Sequence, residues 1–277
     1  MYCYFVSDLH GKTDKYQILF NSILIEKPDI VLIGGDLLPH YTIKNFVATF
    51  LKPELDKLKQ KLKDKYPHIL IIPGNNDPKS EEAQLISLEK EKLCLYLHFK
   101  KIEIDEYKFF GYAYSPPSPF LLKDWEKYDI TRNTGIGCIS PEHGIRTIEI
   151  PDSEKKYSTI KNDLETFAEK EENTNTIFLF HAPPYKTNLD RAALDGKKID
   201  NIEIDVHVGS KAIRNFIENF QPYLTLHGHI HESSRLTGSW KDKIGNTHCF
   251  SAAHDGKELA IVKFHLENLD NAYRELI

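Results

Sequence analysis

The residues able to do chemistry stand in short polar clusters, each at the end of an apolar run. Asp8 and His10 follow YCYFVS, Asp36 follows the run 30–33 through Gly34-Gly35, and Asn75 follows ILII through Pro73-Gly74. His181 closes TIFLF, and Gly228-His229-Ile230-His231 closes the run 223–227. Carboxylate oxygen, amide oxygen and imidazole nitrogen suit Mn, Fe, Zn and similar divalent ions. Two such ions need a shared ligand, and one carboxylate can give an oxygen to each. Asp36 is the candidate for that bridge, because the glycines before it let the backbone turn tightly and approach the ions.

Each cluster also has an ordinary reading. Asp8 could cap a helix, Gly34-Gly35-Asp36 could be a plain turn, Asn75 could hold an Asx-turn, and His181 could be a satisfied buried histidine. Two imidazoles together at a strand end are harder to explain that way. The specificity lies in the ordered set, since open α/β sheets collect their sites at the C-terminal edges of strands.

The elements that must position these groups alternate along the chain. Residues 2–7 read as a strand. Tyr16, Leu19, Phe20, Ile23 and Leu24 repeat at helical spacing up to Pro28. A short apolar run at 30–33 suits a strand buried on both faces. Pro53 is expected to split the helical region that follows, because a mid-helix proline loses a hydrogen bond and clashes with the preceding turn. Strand 69–72 comes next, and Ser80 is placed to cap a helix. Residues 99–104 and 107–112 read as a hairpin turning at Asp105-Glu106. The segment 113–157 has weak periodicity and many turn formers. A helix is expected near 158–171, a strand at 176–180, a helix capped by Ser210, and strands at 223–227, 246–252 and 258–265. The pattern predicts an α/β fold with helices outside; a simple doubly wound sheet is one alternative, and the strand-rich end favours a second sheet packed on the first.

Composition narrows the class further. The chain has 277 residues, 40% hydrophobic and 28% charged, with a formal net charge of −5. A core is affordable and extensive disorder is excluded. A net acidic chain with no evident basic stripe argues against a partner that is long nucleic acid. No stretch approaches the ~20 apolar residues needed to cross a bilayer, so no membrane partner is expected. The N-terminus lacks a basic lead, and Asp8 cuts its apolar run short, which argues against a signal peptide. Cys3, Cys94, Cys138 and Cys249 form no CxxC pair and read as reduced thiols, which suits a cytoplasmic location.

Together, Asp8-Leu9-His10, Gly35-Asp36, Gly74-Asn75-Asn76-Asp77, His181 and Gly228-His229-Ile230-His231 resemble the calcineurin-like metallophosphoesterase superfamily, in that family's order. The resemblance implies a four-layer αββα sandwich of two mixed sheets flanked by helices. It would form one domain over 1–277, with an irregular insertion at about 113–157. It implies one metal held by Asp8, His10, Asp36 and His231, and a second held by Asp36, Asn75, His181 and His229. Many members carry histidine where this chain has Asn76, a group assigned help to the leaving group. On that ground the chain is expected to fall in a subset with asparagine at this position. Asn76 could still hydrogen-bond a phosphoryl oxygen, and Asp77 would orient its neighbours. Asp36, Asn75, Asn76 and Asp77 are thus the catalytic candidates.

The expected cofactors are two divalent ions, Mn2+ in the first place, with Fe, Zn, Co or Ni as alternatives. Two ions about 3.5–4 Å apart would hold a bridging hydroxide able to attack phosphorus in line with the leaving oxygen. The expected substrate is a small phosphate ester, a nucleotide-like phosphodiester ahead of a phosphomonoester. A phosphomonoesterase or nucleotidase is one alternative. A weakly active or non-catalytic protein that binds a phospholigand or serves as a scaffold is another. Substrate-binding candidates are Asn76, His40, Tyr112, Tyr114, Lys186, Arg191 and Arg235. Oligomeric state leaves no mark on the sequence.

Overall fold

The computed structural model describes residues 1–41, 43–168 and 175–277. Its elements in chain order begin with β1 (Tyr2–Val6), α1 (Thr13–Glu26), β2 (Ile30–Gly34), α2 (Lys52–Leu62), β3 (His68–Ile72), α3 (Glu82–Lys90) and β4 (Leu95–Tyr96). The hairpin β5 (Lys101–Ile104) and β6 (Tyr107–Tyr112) follows, then α4 (Asp152–Tyr157), α5 (Ile160–Ala168) and β7 (Thr176–Phe180). A small hairpin, β8 (Lys198–Ile199) and β9 (Ile202–Glu203), precedes α6 (Lys211–Phe220), β10 (Leu224–His227) and α7 (Ser233–Thr237). The chain ends with β11 (Lys241–Ile244), β12 (Thr247–Ser251), β13 (Ala260–His265) and β14 (Asn268–Leu276).

Two mixed sheets pack face to face. The first runs β14-β13-β1-β2-β3-β4, and the second β11-β12-β10-β7-β6-β5. In the first, β1, β2, β3 and β4 are parallel; in the second, β6, β7, β10 and β12 are parallel. Antiparallel strands close both edges of the second sheet and the β14 edge of the first.

Strand alternation builds three apolar layers. Cys3, Phe5, Leu32, Leu70 and Ile72 face Phe109, Ile177, Leu179, Leu226 and Phe250 between the sheets. Tyr4, Val6, Val31, Ile33, Ile69 and Ile71 face outward onto Tyr16, Leu19 and Ile23 of α1 and Leu55 and Leu58 of α2. On the far side, Phe178 and Phe180 pack against Leu164 of α5 and Ile213, Phe216 and Ile217 of α6. The result is helix, sheet, sheet, helix, as the family resemblance implies.

Local differences have physical causes. Pro53 does not split the helical region. A π-helical turn, Val47–Leu51, runs directly into α2, and this wider turn carries the chain through Pro53 without a break. Ser80 caps no helix: it lies in a 3-10 turn, Lys79–Glu81, and Glu81 precedes α3 without a side-chain cap. Ser210 does cap α6, its Oγ accepting from the Ile213 N–H at 3.0 Å. The expected helix beyond residue 168 lies outside the described residues. The insertion holds α4 and is otherwise turns and isolated bridges around buried Trp125 and a fully buried Lys123–Glu126 ion pair.

Candidate metal centre

Parallel strands of both sheets deliver the polar clusters to one edge. Asp8 follows β1, Asp36 follows β2 and Asn75 follows β3, while His181 follows β7 and His229 and His231 follow β10. Backbone contacts lace these loops together. The Asp8 N–H donates to the Gly35 carbonyl at 3.0 Å, and the Gly228 N–H donates to the His181 carbonyl at 2.9 Å. The sheets meet where Gly35 approaches His181; a Cβ on Gly35 would stand 2.5 Å from His181 Nδ1. Gly35 also has φ +97°, which glycine alone adopts readily. A Cβ on Gly74 would stand 2.3 Å from Asp36 Oδ1.

Part of the backbone strain lies at the same edge. Asp8, His10, Asp36 and His229 all have positive φ, between +48° and +74°, a region non-glycine residues rarely occupy. Such backbone strain persists only where the surroundings impose it, typically at functional sites.

Asp8, His10, Asp36 and His231 offer ligand atoms that all lie within 4.8 Å of one another. His10 Nε2 is 3.2 Å from His231 Nε2 and 3.7 Å from Asp36 Oδ2, and His231 Nε2 is 3.3 Å from Asp8 Oδ1. Beside them, Asn75 Oδ1 stands 2.9 Å from His181 Nε2 and 2.7 Å from His229 Nδ1. His181 Nε2 is also 3.5 Å from Asp36 Oδ1. The two oxygens of Asp36 therefore face different groups, Oδ2 toward His10 and Oδ1 toward His181.

The donor set fits two cations. His181 Nδ1 lies 2.9 Å from the Gly34 carbonyl, which fixes the ring proton there and leaves Nε2 as a lone pair. That lone pair faces two oxygen acceptors in a fully buried site, and His10 and His231 present nitrogens to each other among carboxylates. Positive charge between these groups resolves both conflicts. The residues present thus form a candidate bimetal site.

Electrostatics report the same crowding. Burial favours the neutral form of Asp8, but His231 beside it holds the carboxyl well below its ordinary range. Burial opposes ionisation of Asp36 as well, and His181 and His10 outweigh it. Burial and the nearby His181 push His229 down to about 3. For His231, burial is outweighed by Asp8, which pushes it up to about 9. Burial and the Asp36 charge push Asp77 up to about 7, against three backbone donors.

The other candidate residues are held by contacts within the protein. Asp77 is fully buried and ties loops together, accepting from the Leu37, Leu38 and Gly74 N–H groups at 3.1, 2.7 and 2.8 Å. Tyr112 and Tyr114 are buried, 0% and 4% exposed, with Tyr112 donating to Asp163 and Tyr114 accepting from Lys79. Lys186 is exposed beside Tyr185, while Arg191 pairs with Asp195 and Arg235 with Asp255. His40 is exposed and packs against Tyr41, with 4.2 Å between the centroids of the tilted rings. His227 turns away from the cluster, toward the Ala182 carbonyl and Thr225 Oγ1. Sequence reasoning passed over Ser7, whose hydroxyl donates to Asp8 Oδ2; its only signal was a hydroxyl side chain next to a candidate ligand.

Fold and site together define a metal-dependent hydrolase with a candidate dimetal centre at the sheet edge. Residues 1–233 match the calcineurin-like phosphoesterase family, and the chain belongs to it. It is 31% identical over 245 residues to an uncharacterized protein, MJ1162, of Methanocaldococcus jannaschii, covering 87% of this chain and 83% of that protein. Among solved structures, it is similar to a dimetal phosphatase from Danio rerio, with TM-score 0.55, 10% identity, and coverage of 100% and 95% of the two chains. It is also similar to a phosphopantetheinyl hydrolase from Mycobacterium tuberculosis, with TM-score 0.52, 12% identity, and coverage of 91% and 89%. At those identities the likeness concerns the fold.

One expectation is overturned. The chain does not fall in a subset set apart by asparagine for histidine. The family match and the Asp8-His10/Asp36-His231 cluster define an ordinary Asp-His/Asp-His metal site. Asn76 is no member of that cluster; it hydrogen-bonds Asp36.

No helix among the described residues is long and apolar enough to cross a membrane.

Proposed function

We propose that the chain is a dimetal phosphoesterase that hydrolyses small phosphodiesters. The observation that carries this reading is the double-facing Asp36, with Oδ2 3.7 Å from His10 Nε2 and Oδ1 3.5 Å from His181 Nε2. One ion would lie among Asp8, His10, Asp36 and His231, the other among Asp36, Asn75, His181 and His229. When bound, the pair supplies a nucleophile at neutral pH and charge neutralisation for the phosphoryl oxygens. Mn2+ is the ion proposed, because carboxylate, amide and imidazole donors are mixed.

The chain's own residues supply orientation. Ser7 holds Asp8 Oδ2, and the His229 N–H is shared between both Asp8 oxygens, which keeps Oδ1 beside His231. The Gly34 carbonyl fixes the His181 tautomer. Asp77 binds the loop after β2 to the loop after β3, so Asp36 and Asn75 keep their spacing.

A diester is favoured over a monoester on charge. A diester carries one negative charge, whereas a monoester carries nearly two at neutral pH. Arg191 and Arg235, which follow the site motifs, are already paired with Asp195 and Asp255 at the surface, so neither is directed at the second charge. A hydrolysis screen with Mn2+ tests this, using bis(4-nitrophenyl) phosphate, 4-nitrophenyl phosphate and nucleotide mono- and diesters. Higher kcat/KM on diesters is expected. Preference for monoesters would move the reading to a phosphatase or nucleotidase. A fully loaded protein without turnover on any ester would make it a binding protein.

A further inference from the structure

Asn76 makes contacts that its expected role as a phosphate partner does not require. Its main-chain N–H donates to Asp36 Oδ1 at 2.8 Å, and its side-chain Nδ2 donates to Asp36 Oδ2 at 2.7 Å. Each oxygen of the double-facing carboxylate thus receives one N–H from the same residue. The side-chain orientation is dictated by chemistry: an amide oxygen at that place would set two acceptors against each other. The main-chain and side-chain donors hold the carboxylate at two points, so it cannot rotate without breaking one bond.

We infer that Asn76 is a positioning residue that fixes the plane of Asp36, so that Oδ2 is held toward the Asp8/His10/His231 group and Oδ1 toward His181. This rests on the dimetal reading of the site and adds to it a division of labour. The main-chain donor on Oδ1 survives any substitution at position 76 except proline. The side-chain donor on Oδ2 does not. Removing the side chain should therefore loosen the oxygen that serves one ion and spare the oxygen that serves the other. Partners that orient metal ligands are worth about 10–100-fold in metal affinity.

The geometry also explains why the position tolerates a test. Asn76 is only partly buried, unlike Asp36, Asn75 and Asp77 around it. Asn76→Ala removes the donor, and Asn76→Asp keeps the shape while replacing the donor with an acceptor.

The experiment is Mn2+ titration of the metal-free wild type and both variants by calorimetry, with electron paramagnetic resonance following the exchange-coupled ion pair. Melting of each metal-free protein is measured alongside. The wild type is expected to bind two Mn2+. In both variants one binding step should weaken by about 10–100-fold while the other stays close to wild type, and the coupled signal should need correspondingly more Mn2+. A purely space-filling role predicts that Asn76→Asp behaves as wild type, and that result overturns the inference. So does wild-type or tighter binding by Asn76→Ala, or equal weakening of both steps. A wild type that fails to bind two ions would instead contradict the dimetal reading itself.

Discussion

Replacing Asp36 by alanine should collapse metal-dependent stabilisation of the whole protein. Asp36 is fully buried and turns one oxygen to each half of the site, 3.7 Å from His10 Nε2 and 3.5 Å from His181 Nε2. Orienting groups alone are worth 10–100-fold in affinity, so loss of a shared ligand should weaken each ion by roughly 100-fold or more. Ion concentrations 100 times the dissociation constant stabilise a folded protein by about 2.7 kcal/mol per site, or about 5.4 kcal/mol for two. At roughly 2 °C per kcal/mol for a chain of this size, saturating Mn2+ should raise the wild-type Tm by roughly 10 °C. At the same free Mn2+, a 100-fold weaker site contributes only about 0.4 kcal/mol, so Asp36→Ala should gain about 2 °C. Differential scanning calorimetry with and without buffered Mn2+ reads both values directly. A variant whose Tm rises with Mn2+ as far as the wild type would refute the shared-ligand reasoning.

Other expectations follow from the same geometry. Gly74→Ala places a Cβ 2.3 Å from Asp36 Oδ1 and 2.4 Å from its backbone nitrogen, so it should displace the shared carboxylate and lower bound metal at both sites, as read by elemental analysis. His98 is buried beside Lys79 and Lys127; burial first, then those two cations, hold it well below its ordinary value of 6.5. Its ring accepts from the Ala113 N–H and packs against Tyr114 and Trp125, so it folds as the neutral base. The unfolded chain takes up the proton first as pH falls, so the stability His98 confers is complete above about 6.5 and declines below it, by up to about 1.4 kcal/mol per pH unit. Urea unfolding between pH 7 and 5 should show a shallower pH slope in His98→Gln than in wild type; equal slopes would contradict the assignment. Lys123 and Glu126 pair at 0% exposure, with Ser118 closing the group. Lys123→Met should destabilise the chain by about 3–5 kcal/mol by stranding Glu126, and Lys123→Met with Glu126→Leu should recover much of it. Urea midpoints of the two variants check this, and equal destabilisation by both would count against an electrostatic cause.

How much was legible in the sequence depended on where the information was local. Runs such as ILII and TIFLF with a polar group at their ends mark buried parallel strands, because such strands are apolar on both faces and deliver their next residues to one edge. That is why the positions from Asp8 to His231 could be placed together before the fold was seen. Elements whose reason is not local were lost. β11 and β14 are edge strands with half-polar faces, and LDNAYREL carries no clean alternation. Pro53 reads as a breaker in isolation, yet the preceding π-helical turn lets the chain stay helical. Tyr112 and Tyr114 look like a pocket wall by composition, but β6 pairs with β7 and takes Tyr112 into the core, and Tyr114, just past β6, packs into the same cluster. Asn76 meets its partner, Asp36, only through the approach of the loops after β2 and β3, a contact forty residues apart that no local pattern marks.

The central claim is that two ions share Asp36 at the edge where the sheets meet. Anomalous diffraction from crystals soaked in Mn2+ tests it most directly. Two peaks are expected, one enclosed by Asp8, His10 and His231 and one by Asn75, His181 and His229, with Asp36 between them. A single peak, or ions held away from Asp36, would contradict it.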